Sequence, residues 1–158
     1  MSATSMAPRL GARVLLLDPL DRVRLIHAHD PDDPGHHWWE LPCGGLEEGE
    51  DLADAAHREL AEESGILLRE LGRKLWVRES RFTYRGRAHH RIEHAFLGHT
   101  PSTLAHVPLK PTENEKAGPI ERRWWTAAEL GCCSDKFLPA NLPELLDDLL
   151  GDRISDSP

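Results

Sequence analysis

The chain has 158 residues, enough for one domain to bury a core without disulfides. With 39% hydrophobic and 29% charged residues, and Val14 to Leu17 as its longest apolar run, the composition points away from disordered and membrane-spanning classes. A formal net charge of -8 argues against a general nucleic-acid binder, because duplex binding is dominated by cationic contacts to phosphate.

Met1 to Leu10 lacks the apolar core of a signal peptide. A single domain is expected over 9–151, between a flexible start at 1–8 and a flexible tail at 152–158. Ala12–Leu17 and Val23–His27 are short runs rich in Val, Leu and Ile around the turn-like Asp18-Pro19-Leu20-Asp21, and they read as a hairpin. Asp30–Gly35 is a loop by composition, and Trp38–Leu41 a brief strand leading into Pro42-Cys43-Gly44-Gly45. The clearest helix follows, with Asp51 as N-cap, Asp54 three residues on and Gly65 placed to end it. Ile66–Leu68, Lys74–Val77, Arg81–Tyr84 and Ile92–Leu97 are strand-like, Pro101–Gly118 is a polar loop, and Ile120–Trp125 is a last strand. Leu142–Leu150 closes the chain as a helix with apolar spacing at Leu142, Leu145, Leu146, Leu149 and Leu150. Strands on both sides of one strong helix predict an α/β fold, a mixed β-sheet with helices on its faces.

Within the first helix, Glu59, Glu62 and Glu63 stand at i, i+3 and i+4, which places three carboxylates on one face within one turn. Each like-charged pair costs about 0.2–0.5 kcal/mol. Their position near the C-terminal end of the helix adds an unfavourable dipole contribution of about 0.3–1 kcal/mol each when exposed. A hard divalent cation removes the conflict, since it takes oxygen ligands and bridges to phosphate oxygens. The glutamates alone fit a solvated acidic face equally well.

Around them stand Gly44, Glu50, Arg58, Glu59, Leu60, Glu62, Glu63, Gly65 and Ile66. This resembles the Nudix box, G-x5-E-x7-R-E-U-x-E-E-x-G-U with U aliphatic, at every fixed position. The resemblance extends through Trp39-Glu40-Leu41-Pro42 before the box, and to Arg123-Trp124-Trp125-Thr126 with Glu129-Leu130, similar to the late strand and helix of many members. Cys43 is a departure, since relatives commonly have glycine there. The resemblance implies an α/β/α sandwich and a MutT-like hydrolase cutting a diphosphate bond in a nucleoside triphosphate or in a nucleoside diphosphate linked to another moiety. The alternative it allows is a nucleotide-sensing module that does not cut.

By the same resemblance, Glu59, Glu62 and Glu63, with the Gly44 carbonyl, would hold Mg²⁺ or Mn²⁺, and one glutamate would polarise the attacking water. Arg58 would orient Glu59, while Glu50 and Gly65 would support the loop and helix. Glu113 and Glu115 are candidates for an additional acid outside the box. No protein nucleophile is needed, because water attack at phosphorus relies on positioning and charge neutralisation. The implied partner is a small nucleotide or nucleotide derivative, with no membrane, and a homodimer is one assembly open to the chain.

Outside the box, the segment from Arg78 to Arg91 carries five arginines against one glutamate. Arg78, Arg81 and Arg87 are candidates to grip phosphates, alongside Tyr84, the only tyrosine. Trp38-Trp39 and Trp124-Trp125 should each turn one ring inward and one outward, with Trp39 and Trp124 as candidates to stack on a base. His90 and His94 read as surface-strand residues rather than zinc ligands. Three cysteines, two of them adjacent, give neither a disulfide framework nor a Cys-x-x-Cys pair, so reduced thiols in a cytoplasm are expected.

Overall fold

Apart from Arg13, the run from Gly11 to Leu17 is apolar at alternating and intervening positions alike, a pattern that suits a strand covered on both faces. In the computed structural model, which describes residues 8–30, 32–84, 86–103, 106 and 121–155, this run is the buried part of strand β1 (Arg9–Leu17). The other strands are β2 (Val23–Asp30), β3 (Asp33–Glu40), β4 (Cys43–Gly45), β5 (Lys74–Tyr84), β6 (Arg87–His99), β7 (Arg122–Trp125) and β8 (Phe137–Leu138). They form one mixed sheet in the order β5-β6-β1-β2-β3-β8, with β4 also on β1 and β7 also on β2. β1 runs parallel to β6 from Arg9 opposite Arg91 to Leu17 opposite His99.

The helices are α1 (Leu52–Ser64), α2 (Ala127–Cys132) and α3 (Leu142–Ser155). Alternation along β1 sends its two sets of side chains into separate cores. Ala12, Val14 and Leu16 pack with Ala55, Ala56 and Leu60 of α1 and with Ile66. Leu15 and Leu17 pack with Trp39, Leu97, Trp125 and Leu142, Leu146 and Leu149 of α3. Each fully buried leucine contributes about 1.5–3 kcal/mol. The result is the α/β/α sandwich expected above, with α1 on one face and α3 on the other.

The first hairpin is looser than its sequence suggests. β1 and β2 are in register only at Leu17 opposite Val23, beside a turn in which the Asp18 carboxylate accepts the Leu20 and Arg22 N–H groups at 2.9 and 2.8 Å. Beyond that point the two strands part. The edge of β1 is taken instead by β4, with Gly11 opposite Gly45 and Arg13 opposite Cys43, and the Val14 N–H donates to the Pro42 carbonyl at 3.1 Å. The loop ahead of α1 is thereby built into the sheet.

Other elements also differ from the sequence reading. Asp30 and residues 33–35 belong to β2 and β3 rather than to a loop, because pairing continues past a register shift at His29/Asp30 as far as Asp30 opposite Asp33. Ile66–Leu68 is not a strand: Ile66 is buried under α1, and the chain is leaving the helix through Gly65. The two strand pieces at 74–77 and 81–84 are one continuous β5. The helix expected to end at Leu150 continues through Ser155, past the domain boundary placed at 151. Most of the Pro101–Gly118 loop lies outside the described residues.

Candidate active site

α1 begins and ends as its sequence dictates. The Asp51 side chain accepts the Asp54 N–H at 2.8 Å while the Asp54 side chain accepts the Asp51 N–H at 3.3 Å, a reciprocal N-cap. Gly65 closes the helix at φ 70°, a left-handed conformation that glycine adopts without a Cβ penalty. Ala55, Ala56 and Leu60 anchor one face on β1, which leaves Arg58, Glu59, Glu62 and Glu63 facing the loop of β4.

Arg58 is the hub. Its Nε and Nη2 grip both oxygens of Glu50 at 2.7 and 2.9 Å, and Nη2 also donates to the Gly45 carbonyl at 2.9 Å. Nη1 donates to Glu59 Oε1 and reaches Glu62 Oε2 at 3.4 Å. Glu50 is tied further by accepting the Glu47 N–H at 2.8 Å. The bond to Arg58 holds the Glu50 carboxyl below its ordinary value, and the guanidinium is correspondingly strengthened, first by Glu50 and then by Glu59. This bidentate fork locks the loop to the helix.

Gly44 fits against Glu59 so closely that a Cβ at residue 44 would stand 2.0 Å from Glu59 Cδ and 2.1 Å from Oε1. Any side chain there would occupy the place of the carboxylate. Burial raises the proton affinity of Glu59 against the pull of Arg58, and Glu62 adds to the rise. Glu63 turns the other way and accepts the Cys43 N–H at 3.0 Å. Burial first, then the charges of Glu59 and Glu40, push its carboxyl well above the usual range. The Glu63 carbonyl in turn receives Arg122 Nε from β7.

Behind Cys43 lies a buried ionic group that sequence reasoning missed. Arg13 pairs with Glu93 through Nε and through Nη2 at 3.2 Å, donates to the Leu41 carbonyl at 3.2 Å, and has Glu40 Oε2 3.6 Å away. Arg13 and Glu93 are each only 8% exposed. The available signal was a charge within the apolar run of β1 and another at the inward phase of Glu93, Ala95 and Leu97. Each charge lies inside a run that by its pattern is an ordinary strand. Burial raises the thiol of Cys43, the departure beside the box, well above its usual value.

The remaining candidates are scattered. Arg78 donates to Asn141 Oδ1 at 2.6 Å, Arg81 pairs with Glu79 at 3.1 Å, and Arg87 is exposed at the start of β6. Trp39 is corrected: at 3% exposure, with its ring stacked on His27 and edge-on to Trp125, it is a core residue closed to a base. Trp125 is inside, and Trp124 is half-buried, packed against the α1-side core with the Arg24 guanidinium 5.3 Å over its ring. The side chain of Tyr84, and Glu113 and Glu115 altogether, lie outside the described residues.

Among the described residues, no three His, Cys, Asp or Glu side chains converge as a finished ligand set. Arg58 Nη1 lies between Glu59 and Glu62, and Glu63 is engaged with Cys43. The residues still suit a hard divalent cation: the donors are carboxylate oxygens, and Gly44 keeps space for Glu59. No helix among the described residues is long and apolar enough to cross a membrane.

Comparison with known proteins gives a match to the NUDIX domain family model over residues 7–149. The RNA pyrophosphohydrolase of Caulobacter vibrioides is 47% identical over 64 residues, 40% of this chain and 35% of that protein. Nudix hydrolase 12, mitochondrial, of Arabidopsis thaliana is 32% identical over 134 residues, 80% of this chain and 62% of that one. The chain thus spans about a third of the first of these curated relatives and less than two thirds of the second. Among solved structures, a MutT protein from Methanosarcina mazei Go1 superposes with a TM-score of 0.65 at 21% identity, covering 96% of this chain and 99% of that one.

Proposed function

The chain belongs to the NUDIX family, and from that premise we propose that it is a divalent-metal-dependent hydrolase of a phosphoanhydride on a nucleotide or nucleotide derivative. The observation that carries the reading is the fit of Gly44 against a Glu59 carboxylate held by Arg58, beside Glu63. A solvated acidic face would have no reason to exclude a Cβ from the neighbouring strand.

In the proposed reaction, water attacks phosphorus, the new bond is P–O from water, and the bond broken joins that phosphorus to the bridging anhydride oxygen. Glu59, Glu62 and Glu63, with the Gly44 carbonyl, would hold Mg²⁺, for which Mn²⁺ would substitute. Bound there, the ion supplies water activation and neutralises charge on the phosphates. Arg58 keeps Glu59 in one rotamer and ties it to Glu50 and the Gly45 carbonyl, so the loop and helix present their oxygens together. Glu59 or Glu63 would accept the proton from water, as a carboxylate held beside the attacking oxygen can. With three cysteines free, a reducing compartment such as the cytoplasm suits the protein.

The test is hydrolysis of a panel of ADP-ribose, dinucleoside polyphosphates, nucleotide sugars and nucleoside triphosphates, with and without Mg²⁺. Metal-dependent turnover of at least one class is expected. Tight binding of a nucleotide with no turnover of any, with or without metal, would establish the sensing module instead.

A further inference from the structure

Four of the five tryptophans build the interior. Among the described residues Trp39 and Trp125 belong to the α3-side core, Trp76 packs against it, and Trp124 packs against the α1-side core. Trp38 belongs to neither core and is half-buried. A ring of that size without a packing role suits a contact surface, since it offers a broad apolar face at little cost in conformational freedom.

Its side chain lies on the face that carries the carboxylates. Trp38 stands opposite Ala28 and Glu40 opposite Ile26 on β2, in phase with Arg24 opposite Trp124, whose ring packs on the α1 side. Gly44, which meets Glu59, stands opposite Ala12 of that same α1-side core. Glu40 comes between Trp38 and the catalytic loop: its Oε2 accepts Trp38 Nε1 at 3.2 Å, and its charge is near enough to Glu63 to raise that carboxyl. Across the ladder Ala28 offers only a methyl group to the indole. His36, two residues along β3, meets the ring at 5.0 Å and 49°, tilted rather than stacked. His36 is exposed, with the exposed Lys136 Nζ 3.2 Å from its Nε2, so this end of the wall is polar. Trp124 differs, because the Arg24 guanidinium lies over its ring.

We infer that Trp38 is the platform on which an aromatic base of the substrate stacks, so that β3 forms the wall that requires a base while α1 and β4 hold the phosphates. A flat indole suits the ring of any base, and the platform therefore selects for the presence of a base rather than its identity. The bond to Glu40 holds the indole in one orientation before the ligand arrives, which lowers the ordering cost of binding. That an anhydride is cut beside the platform rests on the hydrolase reading, whereas the affinity of Trp38 for a base does not.

The test is calorimetric titration of the full chain in EDTA with adenosine 5′-monophosphate, which lacks an anhydride, and with ribose 5-phosphate, which also lacks a base. Wild type should bind the first about tenfold more tightly, Trp38→Leu should bring the two affinities together, and Trp38→Phe should restore most of the difference. Phe82→Ala, which removes an exposed ring on β5, should leave both affinities unaltered. With Mg²⁺, Trp38→Leu should raise KM about tenfold for a nucleotide anhydride that wild type cuts, with kcat little changed, the mark of lost binding rather than lost chemistry. Equal or undetectable affinity of wild type for the two ligands overturns the inference, and so does a base preference kept by Trp38→Leu. The indole N–H resonance of Trp38, identified by its loss from Trp38→Phe, decides if Trp38→Leu does not fold. It should move with adenosine 5′-monophosphate and not with ribose 5-phosphate, and the lack of that contrast also overturns the inference. Hydrolysis of an anhydride by a wild type without base preference sinks this inference alone. A base preference that depends on Trp38, with no anhydride cut, sinks the hydrolase reading alone.

Discussion

Glu63 stands where burial, two neighbouring carboxylates and a single backbone N–H from Cys43 meet. A glutamine there keeps an oxygen to accept that N–H and removes the charge. Glu63→Gln should therefore cut turnover by about 100-fold or more, the scale of losing one electrostatic contributor, while the metal-free protein melts at a higher temperature than wild type. Kinetics and paired thermal melts with and without Mg²⁺ read both effects, and an unfolded or less stable variant would make Glu63 a structural residue. Glu59→Gln should lose activity without that gain, because it also weakens the grip of Arg58. Gly44→Ala forces Glu59 out of its place, since the added carbon would stand 2.0 Å from Cδ. Overpacking of this kind costs about 1–3 kcal/mol. Calorimetric titration with Mn²⁺ should show affinity lower by about 10–100-fold, the range seen when ligand support is lost, with the fold retained.

Among the elements, β4 does most to position the site, and its pairing is hidden in the sequence. Three residues with two glycines carry no periodicity, and their pairing to β1 depends on β1 and β2 parting after Leu17, which no local pattern announces. α1 was legible from cap to cap, because Asp51, Asp54 and Gly65 act through local hydrogen bonds and a local backbone angle. The Arg58 hub was legible only as a resemblance, since its bonds to Glu50 and Gly45 close over a loop. The Arg13–Glu93 pair was illegible, as its partners come from strands whose adjacency is a property of the whole sheet. That pair joins β1 to β6 beneath β4. Arg13→Met would strand a buried Glu93 and should destabilise the protein by about 3–5 kcal/mol, whereas the double change Arg13→Met with Glu93→Leu should recover most of the loss. Urea unfolding curves decide, and additive losses in the double variant would contradict the pairing.

For the molecule as a whole, the acidic face makes stability depend on pH and metal together. Carboxyls held above their ordinary value, as Glu59 and Glu63 are, bind more protons folded than unfolded, so the fold loses stability as pH rises from the ordinary carboxylate range through their raised values. Glu50 acts oppositely: its stabilisation is present above the ordinary range and is lost as pH falls through its lowered value. The stability of metal-free wild type minus that of Glu63→Gln, followed against pH, isolates the first effect. That difference should grow more negative with rising pH and shrink when Mg²⁺ is added, because the ion favours the ionised carboxylates. A difference independent of pH would remove Glu63 from the account. The parallel pairing of β1 with β6 bears on a different matter, the order in which the molecule can assemble. Arg13 and Glu93 are 80 residues apart in sequence, so during synthesis the first strand emerges long before its main neighbour exists. Until β6 has left the ribosome, the most apolar segment of the chain has no finished sheet to enter, and contacts of such long range are slow to form. The nascent N-terminal half is therefore the stage at which this protein most needs a chaperone.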